Sequence, residues 1–384
     1  MSGSAAVELP SAPAYEPQAH KIKAMETTDT ISSTGSSSSP ASNEAATIST
    51  DEQVVLPEQE LDDATLIEQA EAMQKVERLL VAAKLLQQVK DKSLLTDQHK
   101  YWIKWANMTE KGMRDLLQSP DAEGSKWIKQ SESHGHRDFL VYYQVNEKNQ
   151  LSCRIESAIE ESMVEPIIAV FNESDLYETW MPSWKKPIKM GVQKTKMLKE
   201  LGRGNQIIQV RVDMAWPLKA RESVQHAVAT DVIEEENAIA VQVLTEDHED
   251  DPDIPPPEKG VNRIEFECSI LIRACPPDHP CLAKSKVKYP EGQSIILFSL
   301  KCLVDAHVKI VPMSLINFVS RTVMGRMWAA LLQVAEDIRD GNENRQQHVD
   351  AIANKRELYD WIQSRVEVML KKVKENEEVE RQQN

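Results

Sequence analysis

The sequence is poor in the features that mark several large classes of protein. It has 5 cysteines in 384 residues (Cys153, Cys268, Cys275, Cys281 and Cys302). An odd number with no secretory leader ahead of it predicts reduced thiols in a cytoplasmic setting, not a disulfide framework. Glu8 and Glu16 stand near the start without an Arg, which fits neither a signal peptide nor a transit peptide. The longest largely apolar stretches, 238–244 and 295–300, fall far short of the ~20 residues of a membrane-spanning helix. No basic stripe is present, which excludes nucleic acid as the main partner. G-x-S-x-G, H-E-x-x-H and Walker patterns are missing, and Gly202-Arg203-Gly204 leads into a strand pattern instead of opening a helix. No cofactor is implied, and the protein is not expected to be an enzyme.

What the chain does have is a surplus of acid in two places. The formal net charge is −16, with 2 Lys against 9 acids in residues 1–60 and 1 Lys against 10 in 233–259. The remainder balances at 42 basic and 42 acidic residues. Residues 1–60 are rich in Ser, Thr, Ala and Pro and lack large apolar side chains to offset chain entropy, so a disordered tail is expected. The second segment runs from Glu246 through Asp253 into Pro255-Pro256-Pro257, which predicts an extended solvated loop over 246–258.

Periodicity then orders the elements. Leu66, Ala70, Met73, Val76, Leu80, Ala83 and Val89 fall near a 3.6 period and predict one helix over 61–91; a second is expected from Asp97, as N-cap, to Gln118. These form a helical extension over 61–118. After Pro120 the period becomes two, at Phe139, Val141, Tyr143 and at Leu151, Cys153, Ile155. Ser162 with Glu165 predicts a capping box on a short helix. Alternation returns at Ile208, Val210, Val212, Met214, at 224–233, and at Ile239, Val241, Val243. Ile264, Phe266, Cys268, Ile270, Ile272 and Ile296, Phe298, Leu300, Cys302, Val304 give the two clearest strands. A helix from Pro312 to Asp340, stopped by Gly341, carries Ile316, Val319, Val323, Met327 and Leu331 on one stripe. A long antiparallel sheet, apolar on one side, must cover that side with the helix.

Four short segments carry a resemblance. Thr179-Trp180-Met181-Pro182-Ser183, Trp216-Pro217-Leu218-Lys219-Ala220-Arg221, Lys259-Gly260-Val261-Asn262-Arg263 and Pro312-Met313-Ser314-Leu315-Ile316-Asn317 occur in an order that resembles the steroidogenic acute regulatory-related lipid transfer (START) domains. The similarity spans about 121–340. It implies an α+β helix-grip fold, in which a curved antiparallel sheet wraps a long C-terminal helix around a cavity for one lipid, over a domain at 119–341. It also implies binding or transfer without covalent chemistry. The chain departs from the pattern in Glu222, where the family has Asp, and in Leu176-Tyr177-Glu178-Thr179, where choline-lipid binders carry a basic residue. A weakly polar ligand such as a sterol is thereby favoured over a phospholipid.

With that resemblance, the apolar parities become cavity lining instead of ordinary core. The expected lining is Phe139, Val141, Tyr143 and Cys153 from the first strands; Trp180; Val210, Val212, Met214 and Val241 from the middle; Phe266, Cys268, Ile270, Phe298, Leu300 and Cys302 from the last strands; and Ile316, Val323 and Met327 from the helix. Arg211 and Asp213 have the opposite parity and read as an outward surface pair, as does His226, rather than as ligand anchors. Cys275, His279 and Cys281 with Cys268 lack usual zinc spacing and read as a loop; no metal is expected. The hairpin at 232–237, with Glu234, Glu235 and Glu236, and the front of the last helix are expected to move to admit lipid. The segment 342–384 predicts an amphipathic helix with Tyr359, Ile362, Val366, Met369 and Val373 on a seam. That seam could pack on its own domain, self-associate or bind a protein partner, and the basic helix could touch an anionic membrane transiently. The alternative to lipid binding is an interaction scaffold acting through these extra helices and the acidic loop.

Overall fold

Period-two alternation dominates the middle of the chain, and in a computed structural model it yields a single sheet. The structure describes residues 61–383 except 135–136, 149, 184–189, 215–218, 247–250, 283–292 and 306–317. The expected tail, Trp216 to Leu218, most of the acidic run, and Pro312 to Asn317 with Ile316 therefore lie outside the described residues.

The strands are β1 (Ile128–His134), β2 (Asp138–Val145), β3 (Leu151–Glu160), β4 (Gly191–Gly202), β5 (Asn205–Asp213), β6 (Arg221–Val232), β7 (Ala238–Thr245), β8 (Asn262–Arg263), β9 (Glu265–Ala274) and β10 (Ile295–Asp305). Their order is β1-β2-β3-β10-β9-β7-β6-β5-β4, all antiparallel, with the two-residue β8 pairing parallel to β6 off this path. β1 and β4 are the edges. The lysines of β4 (Lys194, Lys196, Lys199) suit an edge strand, where charge discourages pairing with another chain.

The helices cover both faces. On one side lie α1 (Asp63–Gln74), α2 (Leu79–Gln88) and α3 (Asp97–Leu117). The single helix expected over 61–91 is in fact a hairpin of two: Glu77 adopts φ +58°, a left-handed conformation that ends a helix, and the chain reverses there. The Glu77 carbonyl accepts the Asp231 N–H at 2.9 Å and its carboxylate meets Arg203 at 3.1 Å, contacts that offset the local strain. Asp63 of α1 closes the pair by accepting from the Lys90 and Asp91 backbone N–H groups at 2.8 and 2.9 Å. α3 begins one residue earlier than expected, with Thr96 as N-cap in a reciprocal box with His99.

α2 and α3 lay Leu79, Leu80, Ala83, Trp105, Ala106, Met113 and Leu116 on Val228, Val232, Ala238, Ala240, Leu244 and Leu271. The outer parity of the sheet is thus buried, not solvated. Gly112 permits the close approach, since a Cβ there would stand 2.2 Å from Ser269 Oγ. Arg154, 1% exposed, donates to the Asp115, Leu116 and Gln118 carbonyls at 2.8–3.0 Å and so caps the end of α3 from the sheet.

The opposite, inner face carries α4 (Val164–Asn172), α6 (Met324–Arg339), α7 (Gln346–Asn354) and α8 (Arg356–Gln383); a one-turn α5 (Ile233–Glu236) links β6 to β7. The capping box expected at Ser162 does not form. A 3-10 turn at Glu161–Met163 precedes α4, so Met163 occupies the cap position without a side-chain bond. A wide turn at Phe318–Val323 leads into α6, and Gly341, at φ +72°, stops the helix as expected. Arg137 fastens α6 to the sheet, binding Glu160 at 2.5 and 2.6 Å and Glu336 at 2.5 Å; Arg339 reaches Glu160 at 2.7 Å.

Candidate functional site

The inner face of the sheet is where an apolar wall and the C-terminal helices meet. Antiparallel register places directly opposed residues on one face, so the wall consists of cross-strand rows. One row is Val141, Ile155, Leu300, Ile270 and Val241; the next is Tyr143, Cys153, Cys302, Cys268 and Val243. Phe139 and Phe298 lie beside them, opposite Ser157. Cys302 and Cys268 bring their sulfurs to 3.1 Å, and burial pushes the Cys153 thiol up to about 12.

Filling is uneven along this wall. Toward β2, β3 and β10 the side chains are sealed, with Val141, Ile155 and Phe298 at 0% exposure under Trp328 and Leu331 of α6. Toward β5 and β7 they are not. Val210, Val212, Met214, Val241, Val243 and Phe266 remain half-buried, as do Val323 and Met327 at the start of α6. The inner side of β6 offers only Ala227 and Ala229 in this stretch, both half-buried. Trp180 is buried edge-on against Tyr177, with ring centres 5.8 Å apart.

Polar groups interrupt the wall on β6 and β7. Ser223 and Thr245 share a hydrogen bond at 2.8 Å, and Thr245 accepts the Phe266 N–H at 3.0 Å. Gln225 lies between Ile208 and Thr245 in the register, on the inner side. At the strand ends Arg221 donates to the Lys219 carbonyl at 2.8 Å, and Asp231 pairs with Arg365 of α8 at 3.1 Å. Sequence reasoning missed Gln225, because both parities of β6 mix polar and apolar residues.

The residues considered as anchors lie elsewhere. Arg211 points outward as expected but is buried, not on the surface: it binds Glu222 and Glu258 at 2.7 Å each, beneath the returning Pro-rich segment. Asp213 is half-buried on the same strand. His226 is buried on the outer face against Trp105, between Tyr101 (2.7 Å), Glu246 (3.0 Å) and Asn205 (2.6 Å). Burial alone would raise the Glu246 carboxyl, but hydrogen bonds from His226, Tyr101 and Lys104 outweigh it and hold the group at about 2. The cysteine-rich loop is also outside: Cys281 donates to the Glu156 carbonyl at 3.3 Å and His279 meets the Glu156 carboxylate at 3.3 Å, whereas Cys268 faces inward.

The hairpin expected to move is held from two sides. Arg78 binds Glu235 at 3.3 Å, Lys372 binds Glu234 at 2.5 Å, and Asn237 donates to the Met369 carbonyl at 3.2 Å. The C-terminal segment is two helices instead of one, broken at Lys355, and its seam packs inward: Tyr359, Ile362, Val366 and Met369 belong to the inner core, with Val373 half-buried. The surface offered for self-association is therefore occupied by the chain's own domain.

No helix among the described residues is long and apolar enough to cross a membrane. No family model matches the sequence, and no curated protein matches it. Among solved structures the chain is similar to human STARD10, at 12% identity and TM-score 0.44, over 66% of this chain and 85% of that one. It is similar also to human StAR-related lipid transfer protein 5, at 14% identity and TM-score 0.43, over 62% and 98%. A STAR-related lipid transfer protein fragment from Xanthomonas axonopodis matches at 18% identity and TM-score 0.39, over 55% and 99%. The sheet followed by C-terminal helices is the α+β arrangement that the alternation and the closing helix pattern lead one to expect.

Proposed function

We propose that this chain binds one lipid molecule against the inner face of its sheet and carries or senses it between membrane surfaces, without covalent chemistry. The observation that supports the reading is the under-filled apolar wall: Val210, Val241, Val243, Phe266 and Met327 stay half-buried in the interior of a sheet whose other end is sealed. Apolar side chains that keep accessible surface beside a few polar groups suit a hydrophobic ligand. A lipid burying on the order of 500 Å² of apolar surface would gain about 12 kcal/mol before the costs of ordering and of leaving its membrane. A scaffold role is the weaker reading, because the extra helices spend their apolar faces on the domain itself.

Native mass spectrometry of the purified full chain, followed by lipid extraction, tests the proposal. A stoichiometric lipid adduct supports it, and Val241→Arg should abolish that adduct by placing a cation in the wall. A protein that stays lipid-free after incubation with mixed vesicles refutes it.

A further inference from the structure

Three of the five cysteines stand in one cross-strand row on the inner face: Cys302 of β10 is directly opposed to Cys153 on β3 and to Cys268 on β9. Its sulfur is turned toward Cys268 and donates the S–H at 3.1 Å, closer than two sulfurs that merely pack. We propose that Cys268 and Cys302 are a redox modification site, which a hydroperoxide closes to a disulfide across β9 and β10 and a small thiol reopens. The site is independent of the lipid reading above.

The backbone already meets the geometry of such a bond. Directly opposed residues of an antiparallel pair have Cα atoms about 4.5–5.5 Å apart, inside the span of roughly 4.4–6.8 Å found for disulfides. The sulfurs have only about 1 Å to travel to the bonded distance. Cys153 faces Cys302 from the other neighbouring strand and is left as a third, unlinked thiol, because Cys302 can bond one partner. Cys275 and Cys281 pack with Leu140, Tyr142 and Leu297 on the outer face, so the sheet separates them from the row. Cys268 and Cys302 are 4% and 9% exposed. Their row continues into Val243 of β7, which is half-buried, as is Phe266 beside it. Hydrogen peroxide is hardly larger than water, and that side of the row is its approach.

The chemistry balances with hydrogen peroxide as the oxidant. The bond to Cys268 and burial hold the Cys302 proton in place well above the ordinary thiol range, so Cys302 is the second thiol to react. The Cys268 sulfur attacks one peroxide oxygen, the O–O bond breaks, and the thiol proton leaves with the other oxygen as water, giving a sulfenic acid. The Cys302 sulfur then attacks the oxidised sulfur. The S–S bond forms, the S–O bond breaks, and the Cys302 proton departs with the hydroxyl as a second water. Two thiols have lost two electrons, and the peroxide has been reduced to water. The closed bond ties two central strands of the inner wall together across a sequence separation of 34 residues, which restricts the unfolded chain.

Mass spectrometry of the purified full chain tests this. The reduced protein is treated with hydrogen peroxide, quenched in acid, unfolded, alkylated with iodoacetamide and digested. Peptides carrying Cys268 and Cys302 should be found joined, with both thiols lost from alkylation and Cys153 alkylated as in the untreated protein; dithiothreitol should restore both. Diamide, which takes up the same two electrons and two protons, should give the same pair. Cys153→Ala should oxidise like the wild type, and Cys302→Ser should leave Cys268 as a sulfenic acid that dimedone captures, both at near-native thermal midpoints. Absence of that capture overturns the order of attack. Cys268 and Cys302 still alkylated after both oxidants, either of them joined to Cys153 instead, or a Cys268–Cys302 bond that forms only in urea, overturns the proposal.

Discussion

Replacing Arg154 should uncouple the N-terminal helices from the sheet. Its guanidinium is fully buried, binds the Glu156 carboxylate at 2.5 and 3.0 Å, and donates to three carbonyls at the end of α3. Arg154→Met keeps most of the volume but leaves the Glu156 carboxylate, 2% exposed, with His279 as its remaining partner among the described residues. Removing one member of a buried pair costs about 3–5 kcal/mol. The orphaned carbonyls add to this only where water cannot reach them. Glu156→Met should cost a similar amount by stranding the arginine. The double variant has neither uncompensated charge, and its remaining loss is the cap, on the order of 2 kcal/mol. The single losses should therefore exceed the double by several kcal/mol in a double-mutant cycle. Urea unfolding followed by tryptophan fluorescence reads this out, because Trp102 and Trp105 lie on α3. If Arg154→Met unfolds within about 1 kcal/mol of the wild type, or if the two single losses simply add, the capping argument is wrong.

Other perturbations have directions set by the same geometry. Glu246 is held at about 2 in the folded chain, so its contribution is complete above the ordinary carboxylate range near pH 4.3 and is lost as the pH falls toward 2. Glu246→Gln should flatten that part of a stability-against-pH curve, and an unchanged acid limb would count against the cluster. Gly112→Ala drives a methyl onto Ser269 Oγ at 2.2 Å and Gln242 Oε1 at 2.8 Å; the overpacking should cost about 1–3 kcal/mol, measured as a lowered thermal midpoint. Lys372→Ala with Arg365→Ala should raise amide hydrogen exchange in the Val232–Asn237 hairpin, and protection equal to the wild type would show that the α8 contacts do not hold it.

The parts of this structure that the sequence makes legible are those with one apolar parity. The inner rows of β2, β3, β9 and β10, the helix closing on Gly341 and the seam of α8 all follow from spacing. Three things do not. The stripe from Leu66 to Val89 keeps a 3.6 period whether the helix is continuous or folds back at Glu77, so periodicity is silent about the break. The outer face of the sheet is written in charged and polar letters, Arg154, Glu156, Arg211, Glu222, Gln242 and Ser269, which suggest solvent until their partners on α3 and the Pro-rich segment are known. β4 alternates lysines with Thr195 and Met197 and so lacks a strand's usual apolar signature, although edge position explains it. Gln225 was invisible for a related reason: on β6 neither parity is purely apolar.

The acidity of residues 233–259 takes on a different meaning once its partners are known. Ten acids fall in 233–259, and the stretch at 246–258 reads as a solvated, self-repelling loop. Yet Glu234 meets Lys372, Glu235 meets Arg78, Glu246 meets Lys104, Asp251 and Asp253 share Lys199, and Glu258 meets Arg211. Each exposed pair contributes little alone. Together they tie four separate pieces of chain, the N-terminal helices, the edge strand β4, β5 and the C-terminal helix α8, to one stretch of sequence. The balanced charge elsewhere and the surplus here are thus two sides of one arrangement, in which cations dispersed along the chain converge on a single acidic segment. It follows that the Val232–Asn237 hairpin is among the firmly held edges of the interior. Moving it would break bonds to α2 and α8 at once, whereas among the described side chains at the start of α6 Val323 and Met327 are half-buried apolar groups.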